Sequence, residues 1–259
     1  MQEDKNFSSL VERFNYYIDL TQDEESLLRN LEKNELRFKS RVKLHLQNFS
    51  DNLYVVKAGW IYRYVDLHNG QRKVLRIYLP GEIVGMDDLA LKASFNDTMT
   101  ASDVVISPFP KKSLEDIFSH SPRLSTLLFS ISMMEKAILM DRIKMSGRSP
   151  AVTIIANFIL ELHARLRLHS HDSDFKTFEV PLTQGIIADT LGLTNVTVSN
   201  AFSQLDSDGK ISYSRNTVTI HNPEKLKQEL AFNDRHFQID TSWFPPSKIN
   251  SSSFQTQIA

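Results

Sequence analysis

TQGIIADTLGLTNVTVSNAFSQL, residues 183–205, holds two short helical patterns on either side of one glycine. Thr183 suits the N-cap of a first helix running to Leu191, Gly192 suits a left-handed stop, and Thr194 suits the N-cap of a second helix running through Leu205. The spacing therefore predicts helix, tight turn, helix. Ala188 is small enough for the two helices to cross closely, and Ile187, Leu191, Leu193, Val198, Phe202 and Leu205 form a shared apolar face. What remains on the outer face of the second helix is Asn195, Val196, Thr197, Ser199, Asn200, Ser203 and Gln204, side chains of a size to reach base edges and phosphates.

Directly after this pair, KISYSRNTVTIHN gives two short alternating runs, Lys210–Tyr213 and Thr217–His221, separated by Ser214, Arg215 and Asn216. That pattern is a two-stranded wing. A helix-turn-helix pattern alone also describes helical hairpins that merely pack together. The turn glycine, the small residue four positions before it and the adjoining wing favour a partner of double-stranded DNA. Phosphate neutralisation must then supply much of the affinity. Between Arg142 and Lys227 there are ten Lys or Arg against eight Asp or Glu, a thin margin. Arg148, Lys210 and Arg215 are the candidate phosphate cations, with Ser199 and Thr183 offering hydroxyls; each charge could equally be an ordinary solvated one.

Upstream, AVTIIANFILELHARLRL predicts a helix with its apolar face at Ile154, Ile155, Phe158, Ile159 and Leu162, set off from its predecessor by GlyArgSerPro at 147–150. The stretch before that break repeats every seven residues at Leu124, Ile131, Ile138 and Met145, with Leu127 and Met134 between. These six residues are expected to form a dimer seam, and the plain alternative is a helix that covers its own domain. From about Phe38 to Pro108 the texture changes to alternating runs broken by AsnGly at 69–70 and ProGly at 80–81, which predicts a compact antiparallel β-roll. A surface helix capped by Thr21 is expected over Leu20–Leu36. The tail, rich in Ser, Gln and Pro, is expected to lack fixed structure. The predicted organisation is α+β: an extension at 1–19, a β-roll sensor domain at 20–121, a dimerisation helix at 122–146, a winged helix-turn-helix at 147–230 and a tail at 231–259.

Bulk composition limits the chemistry. The 259 residues are 41% hydrophobic, enough for a sizeable core, and carry 30 basic against 31 acidic residues, so any DNA-binding charge must be local. There is no cysteine, which excludes disulfides, thiolate zinc sites and cysteine-ligated iron–sulfur clusters. No apolar run approaches the roughly 20 residues that span a bilayer, and the first residues lack a signal-peptide pattern, so a cytoplasmic location and no membrane partner are expected.

LTQGIIADTLGLTNVTVSNAFSQLDSDGKI resembles the DNA-binding end of the cyclic-AMP receptor and fumarate–nitrate regulator (Crp/Fnr) family of bacterial transcription factors. The resemblance continues through LELHARL, SGRSP, LPGEIVG at 79–85 and AGWIYRYVDLHNGQRKVL at 58–75, covering roughly residues 20–230. It implies a cyclic-nucleotide-binding-like β-roll, a long dimer helix, a winged helix-turn-helix, a homodimer on a near-palindromic site, and recruitment or blocking of RNA polymerase. Two departures stand out. Family members commonly carry arginine where Asn200 stands, often preceded by glutamate or histidine where Val196 and Thr197 stand. Asn195 and Asn200 can pair with adenine N6 and N7, and Val196 or Thr197 can touch a thymine methyl, so an A·T-richer half-site is expected.

The second departure concerns the ligand. Cyclic-nucleotide binders of the family place a glutamate after the glycine of the turn and an Arg–Ser pair further on. Here Gly85 is followed by Met86, and no arginine lies between Lys92 and Asp103, which argues against a cyclic nucleotide because a buried phosphate needs a cation. His45 and His68 keep haem formally open, although lone histidines are mostly surface or packing residues. His169, His171, Asp172 and Asp174 are read as a solvated loop rather than a metal site, and no cofactor is predicted. The rival functions are an interaction protein of the same fold that has lost DNA binding, and an enzyme. For the latter no phosphate loop, nucleophile elbow or His-Glu-x-x-His is present, and Asp87–Asp88 and Glu115–Asp116 read as turn and helix surface.

Overall fold

The computed structural model describes residues 8–44, 51–91, 96–145, 147, 149–170, 172, 174–234 and 238–247. Two helices lead in. Helix α1 (Ser9–Asn15) is capped by Ser8, and α2 (Gln22–Leu31) opens with a reciprocal capping box in which Thr21 accepts from the Glu24 N–H while the Glu24 carboxylate accepts from the Thr21 N–H. The first residues are therefore more than an extension: Leu10, Val11 and Phe14 of α1 are buried. Helix α2 also stops five residues short of the expected Leu36. The Glu32 carboxylate turns inward to accept from Ser9 Oγ at 2.7 Å and from the Leu10 N–H at 3.0 Å, and Leu36 already pairs with Ile106 in a sheet.

The β-roll is built from β1 (Leu36–Phe38), β2 (Asn52–Ala58), β3 (Ile61–Asp66), β4 (Arg72–Tyr78), β5 (Ile83–Val84), β6 (Asp97–Thr100) and β7 (Val104–Pro110). They form two antiparallel sheets, in the orders β1-β7-β2-β5 and β4-β3-β6. Gly59 makes the corner from β2 to β3 with φ of +77°, and a Cβ there would lie 2.1 Å from the Asp103 carbonyl oxygen, so only glycine fits. Tyr54, Val56, Ile61, Tyr78, Val84, Val104 and Ile106 fill the roll.

Helix α3 (Leu114–His120) leads into α4 (Pro122–Met145), where the expected dimer seam is corrected. Leu124 and Leu127 are fully buried and Ile131 nearly so, packed within this chain among Leu53, Val55, Ile83, Phe109 and Leu114. Met134 leans on the same cluster, while Ile138 and Met145 are half-buried in clefts beside β4. The first half of the seven-residue repeat, Leu124, Leu127 and Ile131, thus belongs to the face that holds the helix to its own domain. A second face carries Phe129, Met133, Met140 and Ile143, with Phe129 and Ile143 each 59% exposed, and follows the same period.

Past the break lie α5 (Ala151–Arg167), β8 (Thr177–Glu179), α6 (Gln184–Leu191), α7 (Asn195–Ser207), β9 (Ile211–Ser214), β10 (Thr217–Ile220) and α8 (Pro223–Leu230). One continuous core joins this unit to the roll, from Trp60, Tyr62, Tyr64, Val74, Ile77 and Leu79 to Ile155, Phe158, Leu162, Ile187, Phe202 and Leu226. The tail also departs from expectation. Residues 238–247 are described, and Ile239 and Phe244 pack against the cluster beneath α1 and α4. Their apolar side chains find a buried surface that the local composition gave no sign of. Among the described residues no helix is long and apolar enough to cross a membrane.

Candidate nucleic-acid interface

Local sequence sets this corner of the molecule. Thr183 Oγ1 accepts from the Ile186 N–H at 3.2 Å, and Thr194 Oγ1 accepts from the Thr197 N–H at 3.1 Å. Each hydroxyl thereby fills one vacant N–H of its helix, and the neighbouring N–H groups form a positive end suited to phosphate. Gly192, at φ of +72°, ends α6, and the N–H groups of Gly192 and Leu193 both donate to the Ala188 carbonyl. Ile187, Ala188, Val198, Phe202 and Leu205 are buried as the pattern required, and Ala201 joins them.

The opposite face of α7 is open. Asn195, Val196, Asn200, Ser203 and Gln204 are exposed, Thr197 and Ser199 are half-buried, and Val196 is 69% exposed, an unusual position for an isopropyl group with no partner in its own fold. Asn195 Oδ1 sits 3.7 Å from where a Cβ on Gly185 would be, so the two helix starts lie side by side. The Thr197 hydroxyl is already engaged with Thr194 Oγ1 at 2.8 Å, which leaves its methyl group for contact.

Strands β9 and β10 pair through a two-residue turn, Arg215–Asn216, in which both residues have positive φ, 49° and 66°. This is the turn geometry whose twist suits a hairpin. It holds Arg215 exposed at the wing tip. Strand β8 adds a third strand beside β10. Lys210 does not stand as expected: its Nζ is 2.8 Å from Glu229 of α8, so part of its charge is spent inside the wing. Arg148 lies outside the described residues, as do His45 and His171. His169 leaves the polar loop and closes on the turn at Gly81.

A second constellation, invisible in the local motifs, lies where the roll, α4 and α5 meet. Arg165 of α5 donates to the Ile77 carbonyl at 2.6 Å and to both oxygens of Glu82 at 2.9 Å. Arg13 of α1 donates to the Gly81 carbonyl and stands 3.8 Å from Glu82; Arg76 grips Glu135 with two bonds and Asp87 with a third at 3.0 Å. Arg142 at the end of α4 grips Glu161 of α5. Four arginines thus face four carboxylates. Burial alone would raise the Glu82 pKa, but Arg165, Arg13 and Arg76 outweigh it and hold the carboxyl at about 2. Asp87 is exposed as expected of turn surface, although it accepts from the Tyr78 hydroxyl at 2.9 Å; Asp88 corrects that expectation, being buried against Arg63 at 2.6 Å. The i, i+4 spacing of Glu161 and Arg165 was the one trace of this cluster in the sequence.

A β-roll, a long helix with an open apolar face and a winged helix-turn-helix define a two-domain DNA-binding regulator. Comparison with known proteins agrees. Residues 42–121 match the cyclic nucleotide-binding domain model and residues 155–229 the Crp-like helix-turn-helix domain model. The nitrogen fixation regulation protein FixK of Bradyrhizobium diazoefficiens is 26% identical over 181 residues, 70% of this chain and 75% of FixK. The fumarate and nitrate reduction regulatory protein of Escherichia coli K12 is 26% identical over 179 residues, 68% of this chain and 70% of that protein. Among solved structures, FixK2 from Bradyrhizobium japonicum superposes with a TM-score of 0.65 at 22% identity, covering 75% of this chain and 96% of FixK2. A CooA mutant from Carboxydothermus hydrogenoformans gives 0.62 at 19% identity, covering 87% and 96%. The chain belongs to the Crp/Fnr family of DNA-binding transcription regulators.

Proposed function

We propose that this protein regulates transcription as a homodimer that reads a near-palindromic DNA site without a small-molecule effector. The carrying observation is the pairing of an open α7 face with a sensor-domain boundary at which Arg13, Arg76, Arg142 and Arg165 are already paired with carboxylates. Phe129, Met133, Met140 and Ile143 offer the two-fold seam along α4, in place of Leu124, Leu127 and Ile131, which are buried in the chain's own core. Asn195, Asn200 and Gln204 read base edges, Val196 meets a thymine methyl, and Thr183, Ser199, Arg215 and Arg148 hold phosphates. RNA polymerase is the partner through which binding acts, and the cytoplasm is where the DNA is met.

A cyclic nucleotide does not suit the roll. Met86, which follows the turn glycine, packs against the apolar cluster beneath α4, and Arg76 is committed to Glu135 and Asp87 rather than available to a phosphate. No haem or metal is assigned. A titration of purified, ligand-free protein against DNA at several salt concentrations tests the proposal. Tight binding with a sequence preference is expected; salt-insensitive, sequence-blind behaviour would support instead a protein of this fold that has lost DNA reading, for which the absent arginine at Asn200 speaks.

A further inference from the structure

Two segments outside both family matches meet each other on the surface of the roll. One is α1 with the turn after it, and the other is the stretch after α8. Ile239 and Phe244 pack against the same apolar cluster as Tyr17, Leu20 and Leu27, and Phe244 and Tyr17 line one cleft. The stretch has its own turn: Asp240 Oδ1 accepts from the Ser242 N–H at 2.9 Å and from Ser242 Oγ at 2.6 Å, and the Phe244 N–H donates to the Thr241 carbonyl at 3.1 Å. With Asn15–Asp19 and Arg123 it walls a cleft of about 410 Å³.

The same chain is fixed to the winged domain a few residues earlier. Phe232 packs on the core of that domain, and Lys227 Nζ of α8 holds Asp234 at 2.7 Å. Asp234 is thus held by the winged domain and Ile239 by the cluster beneath α1 and α4. Helix α1 closes the circuit from its far side. Arg13 enters the charge cluster at Gly81 and Glu82, which Arg165 of α5 also grips, and Glu12 lies 4.0 Å from His169 just past α5.

We propose that Ile239–Ser247 is an intramolecular clamp that docks on Asn15–Leu20 and holds the winged domain against the roll with the outer face of α7 open. It would do by covalent attachment what an effector does by binding, and so it rests on the effector-independent reading given above. Four residues separate its two anchors, and so short a tether gives an effective concentration on the order of millimolar, enough for a modest apolar contact to stay closed.

The test compares full-length protein with a chain ending at Phe237 and with the double variant Ile239→Asp, Phe244→Asp. Unfolding monitored by circular dichroism checks that each remains folded, and the point variant guards against loss of the chain end itself. In both variants, amide exchange at 16–20 is expected to quicken, small-angle scattering to report a more extended particle, and affinity for the wild-type protein's own selected site to fall about tenfold. Unchanged exchange at 16–20 would overturn the clamp. So would affinity that stays equal or rises, which would make the segment inert or inhibitory. Wild-type protein that binds no DNA would sink the effector-independent reading, while exchange and scattering would still judge the docking.

Discussion

Asn200 carries the sharpest residue-scale consequence. An asparagine presents one donor and one acceptor to adenine N7 and N6, whereas an arginine fork matches guanine O6 and N7, and each good bidentate pair is worth about 1–3 kcal/mol of discrimination. Asn200→Arg is therefore expected to move the preferred half-site toward guanine, with a roughly 10- to 100-fold change in relative affinity measured on paired oligonucleotides. Glu82 makes a different prediction. Its carboxyl lies at about 2 against an ordinary 4.5, so its contribution is whole above about pH 4.5 and is lost as pH falls toward 2. Glu82→Gln leaves Arg13, Arg76 and Arg165 facing a neutral group and should cost about 3–5 kcal/mol at pH 7 in urea unfolding. The variant should also flatten the acid limb of the stability curve. Both residues are plain in the sequence, but only Asn200 announced its position, because its neighbours at helical spacing fix its place on the open face of α7. Glu82 acquires its role from arginines that lie far off in the chain.

At the scale of elements, capping residues and the turn glycine were legible because their physics is local: Thr21, Thr183, Thr194 and Gly192 do what their positions demand. Helix α4 was legible as a helix and misread as to direction. Its apolar residues recur on two faces, and a period cannot say which face looks inward. The consequence is a contrast between two substitutions. Leu127→Ala should cost about 2–5 kcal/mol of stability, read by denaturant unfolding, while leaving assembly intact. Ile143→Asp should leave each protomer folded and shift sedimentation from dimer to monomer. The wing supplies a second contrast. Replacing Arg215–Asn216 with Asn–Gly gives the turn residues that tolerate positive φ best, so thermal stability should rise slightly. At the same time DNA affinity should fall, with a salt slope shallower by about one per protomer.

For the whole molecule, the charge cluster and the docked tail were the least legible features. Arg13, Arg76, Glu82, Glu135, Arg142, Glu161 and Arg165 meet only after the roll, α1, α4 and α5 have packed, and beyond the i, i+4 spacing of Glu161 and Arg165 no local pattern encodes such a meeting. Residues 238–247 have the composition of a disordered tail, and their order depends on a surface made by α1 and α4. Together these contacts describe a regulator whose two domains are held together by its own side chains. The most direct test is selection of bound sites from a random duplex library by the purified, ligand-free protein at near-physiological salt. The expected result is a two-fold symmetric motif whose half-sites lack the family's guanine at the position facing Asn200. Recovery of no motif until a small molecule is added would contradict it.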